Sequence, residues 1–542
     1  MTASLEFLIF RGALEYATEF HTTNDSRLFP PIARWEEQGY RPDEYSRWIK
    51  GMWKPTSELR EVGGQLSSLK LSPNLAFAGS PLNTSGGLID SSDNSRVTAG
   101  LSHHDGESHP DIGLDLYGQT PNDAIAICRS SVPKGILFSR DGCSWIKEDD
   151  IQDVALPLYE GRMIGQFDFS QKGWVSGKGR SAVWRPIEWQ EKRIEPQYLM
   201  KESDCASSPK SNRGSKIAYM RISSATNSRT TISTYLDGVP SADSIFFFIP
   251  VNREPRIALV ASGILSSIAF DSVVRQRLGG LNMSEFVMVE TPLPRLDPSI
   301  SSLVCEALLG LSLCNNLFAR EWLLLSSENL HRRPWRAQWA VSEGRRLEKQ
   351  VSIDAICAGW YGLSIADLRY VLSDCDLPRG FSLAKLNPKG FWRVDKDKEP
   401  ELRHTVLTLI AFHDLEQKIR ENGGDRVAGI EAFLSQNNGE GWLLPETVRL
   451  ADYGLGHDER ALEHQPVASR LGPRFYDWQL SQSAEESWRE CHLHARNLLG
   501  EKGYKNLLAE IEAERSGHAV AAPPPSVAEI PVSDDQQMQL FS

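Results

Sequence analysis

The sequence predicts an α+β fold, in which a mixed α/β domain is followed by a mainly helical region. Between residues 124 and 298, short runs rich in β-branched and aromatic residues recur between turn residues, as is typical of strands. Beyond Pro294, apolar residues instead recur at helical spacing, as at Leu347, Val351 and Ala355. With 542 residues, the chain is long enough for two to four domains that each bury a core.

Composition divides the chain into four parts. Residues 1–123 are predicted to be helical or irregular with long loops, because 63–118 are rich in Ser, Gly, Asn and Asp. The mixed α/β domain covers 124–298, and a helical spacer and C-terminal region covers 299–515. The tail, 516–542, is rich in Pro, Ala and Ser, which predicts disorder.

Individual elements of the mixed domain follow from β-type and helical patterns. A helix is predicted over 267–280 and ends at a glycine pair, and a further strand is predicted within 285–294. The other predicted strands are 124–130, 134–140, 216–224, 229–236, 244–250 and 256–262.

Helices dominate the predictions for the C-terminal half. The longest apolar-periodic segments are 302–325 and 345–363. Ser364 lies three residues before Asp367, the spacing of a helix N-cap and its partner, which predicts a new helix through Leu372. Further amphipathic helices are predicted within 400–440 and 474–515.

Charge and cysteine content limit the classes of function. The formal net charge is −12, whereas residues 158–240 alone carry +5, so any nucleic-acid contact must be a local basic patch. The eight cysteines form no CxxC pair, which favours reduced thiols in a cytosolic protein. No apolar run approaches the roughly 20 residues of a membrane span, and the N-terminus lacks a signal-peptide pattern. We therefore expect a cytoplasmic protein without a membrane partner.

The most unusual stretch of the sequence is 158–189, where glycines separate basic and aromatic residues. A pliable backbone of this kind can approach phosphates closely while planar side chains contact sugars or bases. A surface hairpin with solvated charges is the alternative. The candidate DNA contacts of this stretch are Lys172, Trp174, Lys178, Arg180 and Arg185.

Known catalytic motifs are missing from the sequence. The cluster of His, Asp and Glu between His103 and Asp111 could bind metal, but a solvated loop explains it better and no metal is assigned. Residues 176–182 match a dinucleotide-binding loop only loosely, and residues 77–81 are a poor version of the glycine-rich S-adenosylmethionine loop. Neither a GxSxG elbow nor a (D/N/S)PP(Y/F/W) motif for base methylation occurs. No catalytic residue and no cofactor are therefore assigned to this chain.

Several segments in order resemble one protein family. They are LYEGRMIGQFDF, an R-x(5)-N-x-RT pattern, an FD-x-x-x-R segment, a DA-x-x-A-x-x-YGL-x-x-x-DL-x-Y helix and the run 444–480. Over residues 150–500 the chain resembles the region that follows the catalytic domain in type IIG and BREX-like adenine-specific DNA methyltransferases of restriction and phage defence. The matching positions are Arg221, Asn227, Arg229, Thr230, Phe270, Asp271, Arg275, Gly279, Asp354, Ala355, Tyr361, Gly362, Leu363, Asp367 and Tyr370.

The resemblance implies a target-recognition region that reads a short sequence in double-stranded DNA. Since the catalytic half is absent from this sequence, it also implies a separate catalytic methyltransferase subunit that binds S-adenosylmethionine. Arginine can bond bidentately to guanine, and asparagine or glutamine to adenine. The candidate contacts are therefore Arg221, Asn227, Arg229, Thr230, Arg275 and Gln276. A structural role is the alternative for Arg221 and for Asp271.

A short peptide in the tail resembles a different recognition motif. Gln537, Leu540 and Phe541 fit the QLxLF-type peptide by which bacterial proteins dock on the DNA-polymerase sliding clamp. A flexible tail is a suitable place for such a peptide. The sliding clamp is therefore one further expected partner.

Three hypotheses of function follow from the sequence. The favoured one is a specificity subunit, or separated specificity half, of an adenine-N6 DNA methyltransferase complex. The second is a diverged methyltransferase or nuclease with its active site in residues 1–150. The third is a catalytically inert scaffold that binds other defence proteins.

Overall fold

The protein has an α+β fold, as the sequence predicts. The computed structural model describes residues 14–17, 40–42, 48–55, 135–138, 144–206, 214–225, 227–250, 254–294, 297–372, 391, 397–456 and 459–515. The metal-site alternative at His103–Asp111, the strand prediction at 124–130 and the tail peptide at Gln537–Phe541 lie outside these residues.

Two antiparallel sheets account for most of the strands. The first has the order β1 (Leu14–Ala17), β13 (Ile245–Pro250), β11 (Ser215–Met220) and β12 (Ser233–Asp237). The second has the order β10 (Tyr198–Lys201), β7 (Ile151–Leu158), β3 (Trp48–Gly51) and β2 (Tyr40–Pro42). Strands from the beginning of the chain thus complete both sheets.

The remaining strands form three small units. A three-stranded sheet contains β4 (Lys54–Pro55), β6 (Ser144–Lys147) and β5 (Ile136–Phe138). Strands β8 (Lys172–Ser176) and β9 (Val183–Pro186) form an isolated hairpin, and β14 (Thr447–Val448) pairs with β15 (Gln465–Pro466).

Most of the chain after the first sheet is helical. The last helix, Ala484–Arg515, is broken at Gly500, and residues 436–438 depart from helical geometry near the end of Arg426–Gly439. The α-helices in chain order are α1 Glu202–Ala206, α2 Pro255–Leu265, α3 Ile268–Arg277, α4 Glu285–Glu290, α5 Pro298–Ser312, α6 Ala319–Leu325, α7 Glu343–Trp360, α8 Ile365–Val371, α9 His404–Glu421, α10 Arg426–Gly439 and α11 Ala484–Arg515.

Several sequence predictions are confirmed at the level of single elements. The strand predictions at 216–224 and 244–250 correspond to β11 and β13, and the helix prediction at 267–280 corresponds to α3. The hydroxyl of Ser364 accepts from the backbone N–H of Asp367, and this carboxylate accepts from the backbone N–H of Ser364. Helix α8 therefore begins at the predicted cap.

Two strand predictions are wrong. Residues 256–262 lie within α2, which begins at Pro255 and is buried along nearly its whole length against β11, β12 and α5. A helix buried on most sides shows no periodicity, so a short apolar run does not distinguish it from a strand. Residues 285–290 form α4, because the Ser284 hydroxyl caps the helix by accepting from the Val287 N–H.

One apolar core extends from the first sheet into the helical region. Helix α2 packs between the sheet and α5, and α7 packs against α9. The same cluster of buried apolar side chains includes Tyr159 near its start and Leu507 in the last helix. The core thus continues across residue 298, where the sequence predicts a domain boundary.

Candidate nucleic-acid interface

The stretch that the sequence singles out forms a braced β-hairpin. Strands β8 and β9 are antiparallel, with Trp174 opposite Trp184, and residues 177–182 connect them. Gly177 has φ +78°, and its carbonyl accepts from the indole of Trp174 at 3.0 Å and from the Gln197 amide at 3.2 Å. Side chains on both sides of the turn therefore hold it in one conformation.

Glu195 holds the base of the hairpin. Its carboxylate accepts from Arg185 at 2.7 Å and from Arg193 at 2.6 Å, and its carbonyl accepts from the Trp174 N–H at 2.9 Å. A Cβ on Gly173 would lie 2.1 Å from the carboxylate oxygen Oε2 of Glu195. Only glycine at 173 leaves room for this brace.

Trp189 attaches the segment after the hairpin to the core. Two cations lie over its ring, with the Arg346 guanidinium 3.4 Å and the Lys192 ammonium 4.1 Å from the ring centre. Burial lowers the pKa of Lys192, although the Asp168 carboxylate 2.9 Å away partly restores it. The hairpin therefore extends from a fixed base.

The charge of the hairpin is of one sign. Residues 171–186 contain four basic residues and no acidic one. Lys172, Lys178 and Arg180 are exposed, and within the described part of the chain none of them has an ion-pair partner. Arg185 is half-buried and paired with Glu195. Three cations are thus available to an external polyanion.

The apolar residues exposed on the hairpin differ from those that the sequence suggests. Trp174 and Trp184 are half-buried, whereas Val175 and Val183 are exposed. A β-branched residue in a strand pattern usually indicates a packed surface, so the exposure of these valines could not be predicted from the sequence.

The second set of candidate DNA contacts divides between surface and interior. Asn227 and Gln276 are exposed, and Arg221 is half-buried, with its guanidinium 3.8 Å from the Asp243 carboxylate and over the Phe246 ring. Arg229, Thr230 and Arg275 are buried. In this conformation the latter three side chains cannot reach a DNA groove, so we do not retain them as DNA contacts.

Asp271 binds two of these buried residues, Thr230 and Arg275. Its carboxylate accepts from the Thr230 N–H at 2.9 Å and from the Arg275 guanidinium at 3.0 Å. Arg275 also donates to the carbonyl of Ser228 at 2.6 Å, and its guanidinium lies over the Phe391 ring. Asp271 therefore has the structural role that the sequence left open for it.

Asp354 binds the third buried residue, Arg229. It lies 3.2 Å from the Arg229 guanidinium, 2.7 Å from Nε2 of His404, and accepts from the Ile268 N–H at 2.7 Å. Burial alone would raise the pKa of Asp354, but Arg229 and the hydrogen bond from His404 outweigh it and lower the pKa. These contacts join the loop before β12 to α3, α7 and α9.

An exposed apolar surface accompanies the polar residues near Arg221. The Met283 N–H donates to the Arg221 carbonyl at 2.7 Å, and the Ser223 N–H donates to the Leu281 carbonyl at 2.9 Å, which joins the two segments as a short ladder. Ile222, Leu281 and Phe286 are all exposed. The exposed position of these residues was not predicted from the sequence, because the two segments that meet here, 221–223 and 281–283, are far apart in the chain.

The described residues include neither a metal-binding cluster nor an exposed thiol. Within them, no group of three His, Cys, Asp or Glu side chains is placed to bind a metal ion. The cysteines that the structure describes are buried, and burial raises the pKa of the Cys314 thiol to about 11. Such thiols are unsuited to nucleophilic chemistry near neutral pH.

Neither a protein-family model nor a curated protein sequence matches the chain. In the part of the chain that the structure describes, no single helix combines the length and the apolar character that crossing a bilayer requires.

Proposed function

We propose that this chain is the DNA-recognition subunit, or the separated specificity half, of a cytoplasmic adenine-N6 DNA methyltransferase complex in restriction-modification or phage defence. The observation that carries the DNA-binding part is the braced hairpin, which has no acidic residue and three exposed cations without an ion-pair partner among the described residues. The methyltransferase part rests on the sequence resemblance, and it assigns S-adenosylmethionine binding to a catalytic partner.

The hairpin suits contact with the phosphate backbone better than reading of bases. Lysine and arginine supply the sequence-independent attraction to DNA, and a fixed turn delivers them without a large loss of conformational entropy. Phosphate contacts set the position of a protein on the duplex, while base contacts provide specificity. Lys172, Lys178 and Arg180 are therefore assigned to the backbone.

Base reading is assigned to the exposed amides. Asn227 and Gln276 remain accessible, and an amide can bond bidentately to adenine in the major groove. Arg221 is half-buried, and its guanidinium lies 3.8 Å from the carboxylate of Asp243. The buried Arg229, Thr230 and Arg275 act by holding the segments that present these residues.

The DNA-binding experiment compares two pairs of exposed cations. Lys178→Ala/Arg180→Ala removes two hairpin charges, and Lys502→Ala/Lys505→Ala removes two exposed charges from the last helix. We expect the first variant to lose about tenfold or more in duplex affinity at moderate salt, because each phosphate contact contributes to counterion release. The second variant should bind as the wild type does. Equal affinities for all three proteins would reject the hairpin as the interface.

The proposal that methylation requires a separate catalytic subunit has its own test. The purified chain with S-adenosylmethionine and duplex DNA should form no N6-methyladenine, and addition of a catalytic subunit encoded beside it should produce site-specific methylation. Methylation by the chain alone would contradict the proposal.

A further inference from the structure

We propose that Arg333, Lys349 and Arg474 form a binding site for an oxyanion of the phosphate class. None of these residues belongs to the hairpin or to the exposed amides, and the inference does not depend on the function proposed above. It rests on a convergence of cations that the carboxylates around them do not balance.

Three arginines converge on one carboxylate. NH1 of Arg333 lies 3.8 Å and NH2 of Arg345 lies 3.9 Å from oxygens of Glu440, and Arg474 bonds directly to the same group. Lys349 adds a fourth cation, because its ammonium donates to the backbone carbonyl of Glu440 at 3.0 Å. Glu440 is thus surrounded by cationic donors.

The backbone around Glu440 is held in place by the same cations. Asn437 and Asn438 have φ of 55° and 58°, in the left-handed region, and the Arg333 guanidinium donates to the carbonyl of Asn438. The turn carries Glu440 from the end of α10 towards Arg345 and Lys349 on α7. The cluster is therefore assembled from segments far apart in the sequence.

The cluster has an excess of positive charge. Arg345 also pairs with Glu348, so within the described residues the ion pairs of these four basic side chains involve two carboxylates, Glu348 and Glu440. With all groups ionised, these four cations and two carboxylates of the described residues carry a net charge of +2, which falls to +1 when Lys349 is neutral. Partly buried charges that lack a partner are costly, and a bound anion would offset that cost.

Access to the cluster is one-sided. The side chain of Arg345 is only 5% exposed, whereas those of Arg333 and Arg474 are 32% and 36% exposed. Nε of Arg474 is buried and has no hydrogen-bond partner among the residues that the structure describes. A solute can therefore approach Arg333 and Arg474 from solvent while Arg345 supports them from within.

The lowered pKa of Lys349 is consistent with an excess of positive charge in the cluster. Burial lowers its pKa to about 7, and repulsion from Arg345, Arg474 and Arg333 acts in the same direction, with Glu348 opposing. An anion bound beside the ammonium would favour its charged form and raise the pKa. Binding of a phosphodiester, whose charge does not change near neutral pH, should therefore take up protons and strengthen as the pH falls.

A phosphate group fits the donors best. Guanidinium groups present paired N–H donors that match the oxygens of phosphate, and lysine adds a point charge. The phosphate can belong to a free ion or nucleotide, or to the backbone of DNA. The experiment has to separate these two sources.

The experiment measures thermal unfolding in inorganic phosphate and in chloride at equal ionic strength. For the wild type we expect phosphate at ten times its Kd to raise Tm by about 1–2 °C more than chloride does. Arg333→Gln/Arg474→Gln should lose this difference, and the exposed neighbour variant Arg332→Gln should keep it. Lys178→Ala/Arg180→Ala should also keep it, because the hairpin is not part of the site.

Two further measurements complete the test. If the double variant fails to fold, broadening of the phosphorus NMR signal by the wild type and by Arg474→Gln replaces the thermal comparison. A short duplex that displaces inorganic phosphate identifies a DNA phosphodiester as the ligand, and failure to displace it identifies a free phosphate compound. An equal effect of phosphate and chloride on the wild type, or an undiminished phosphate effect in Arg333→Gln/Arg474→Gln, would overturn the proposal.

Discussion

The guanidinium of Arg229 lies 3.2 Å from the carboxylate of Asp354, in an interior where the two side chains are 10% and 3% exposed. Each residue belongs to a different segment of the family resemblance, one to the R-x(5)-N-x-RT pattern and the other to the DA-x-x-A helix. Their pairing gives both segments a structural role. It fixes the loop that presents Asn227 against helix α7.

Loss of this ion pair should be strongly destabilising. Asp354→Asn leaves Arg229 buried without its counter-charge, which costs about 3–5 kcal/mol for buried pairs of this kind. Urea unfolding measures the change in the free energy of unfolding. Arg229→Met/Asp354→Asn removes both charges and keeps an acceptor for the Ile268 N–H, so it should cost less than Asp354→Asn alone. A change below about 0.5 kcal/mol in Asp354→Asn would mean that the pair contributes little.

The same carboxylate should make the protein sensitive to acid. Because the pKa of Asp354 is lowered in the folded protein, its contribution to stability is present above the unfolded-state value of about 3.9. That contribution is lost as the pH falls below 3.9 and through the folded-state pKa. The wild type should therefore lose stability more steeply than Asp354→Asn does as the pH falls below about 4. Parallel stability curves would contradict this.

Glu160, in the segment before the hairpin, should have the opposite effect on stability, which it lowers as the pH rises. Burial raises its pKa to about 7, Arg162 opposes and Asp243 adds to the increase, and in the described structure Oε2 has no hydrogen-bond partner. The folded state therefore keeps a proton that the unfolded chain releases near pH 4.3, and stability falls as the pH rises from about 4.3 to 7. Glu160→Gln should raise the unfolding free energy by about 1–3 kcal/mol at pH 8 and leave it unchanged at pH 4.

The turn of the hairpin should be sensitive to a single methyl group. Gly177→Ala places a Cβ 2.4 Å from the Ser181 carbonyl at φ +78°, so the turn has to change shape. We expect DNA affinity to fall several-fold through the displaced Lys178 and Arg180. Gly238→Ala is the matched control, because φ is +60° there and no atom lies within 4 Å of the added Cβ. Equal DNA affinities in the two variants would argue against a fixed turn.

The left-handed turn beside Glu440 should accept glycine at position 438 but not a β-branched residue. Asn438→Val places a β-branched residue at φ 58°, which costs about 1–2 kcal/mol for an L residue in this region. Asn438→Gly adopts the conformation without strain and should be at least as stable as the wild type. Thermal unfolding of both variants measures the difference, and equal Tm values would contradict it.

Local signals in the sequence predicted local structure well. The cap of Ser364 on α8 and the helix at Ile268–Arg277 depend on neighbours within one or two turns, and both predictions are confirmed. Strands β8 and β9 form a hairpin in the stretch 158–189, which is the alternative that the sequence left open there. The wrong strand at 256–262 has a tertiary cause, because a helix buried between a sheet and another helix loses its polar face.

Contacts between residues far apart in the chain determine the features that could not be predicted from the sequence. Arg229 is buried because of Asp354, which lies 125 residues away, and nothing near Arg229 in the sequence distinguishes a buried arginine from one that contacts DNA. The cluster around Glu440 combines Arg333, Arg345 and Arg474, which no local pattern connects. Sequence reasoning therefore located the hairpin but missed the phosphate-class site.

The salt dependence of DNA binding tests the role of the hairpin most directly. For contacts to phosphates, the slope of log K against log salt concentration changes by about 0.9 for each neutralised phosphate. Lys172→Ala/Lys178→Ala/Arg180→Ala should therefore have a slope shallower than the wild type by about 2–3. A triple variant with the same slope as the wild type would contradict the proposal that this hairpin binds the DNA backbone.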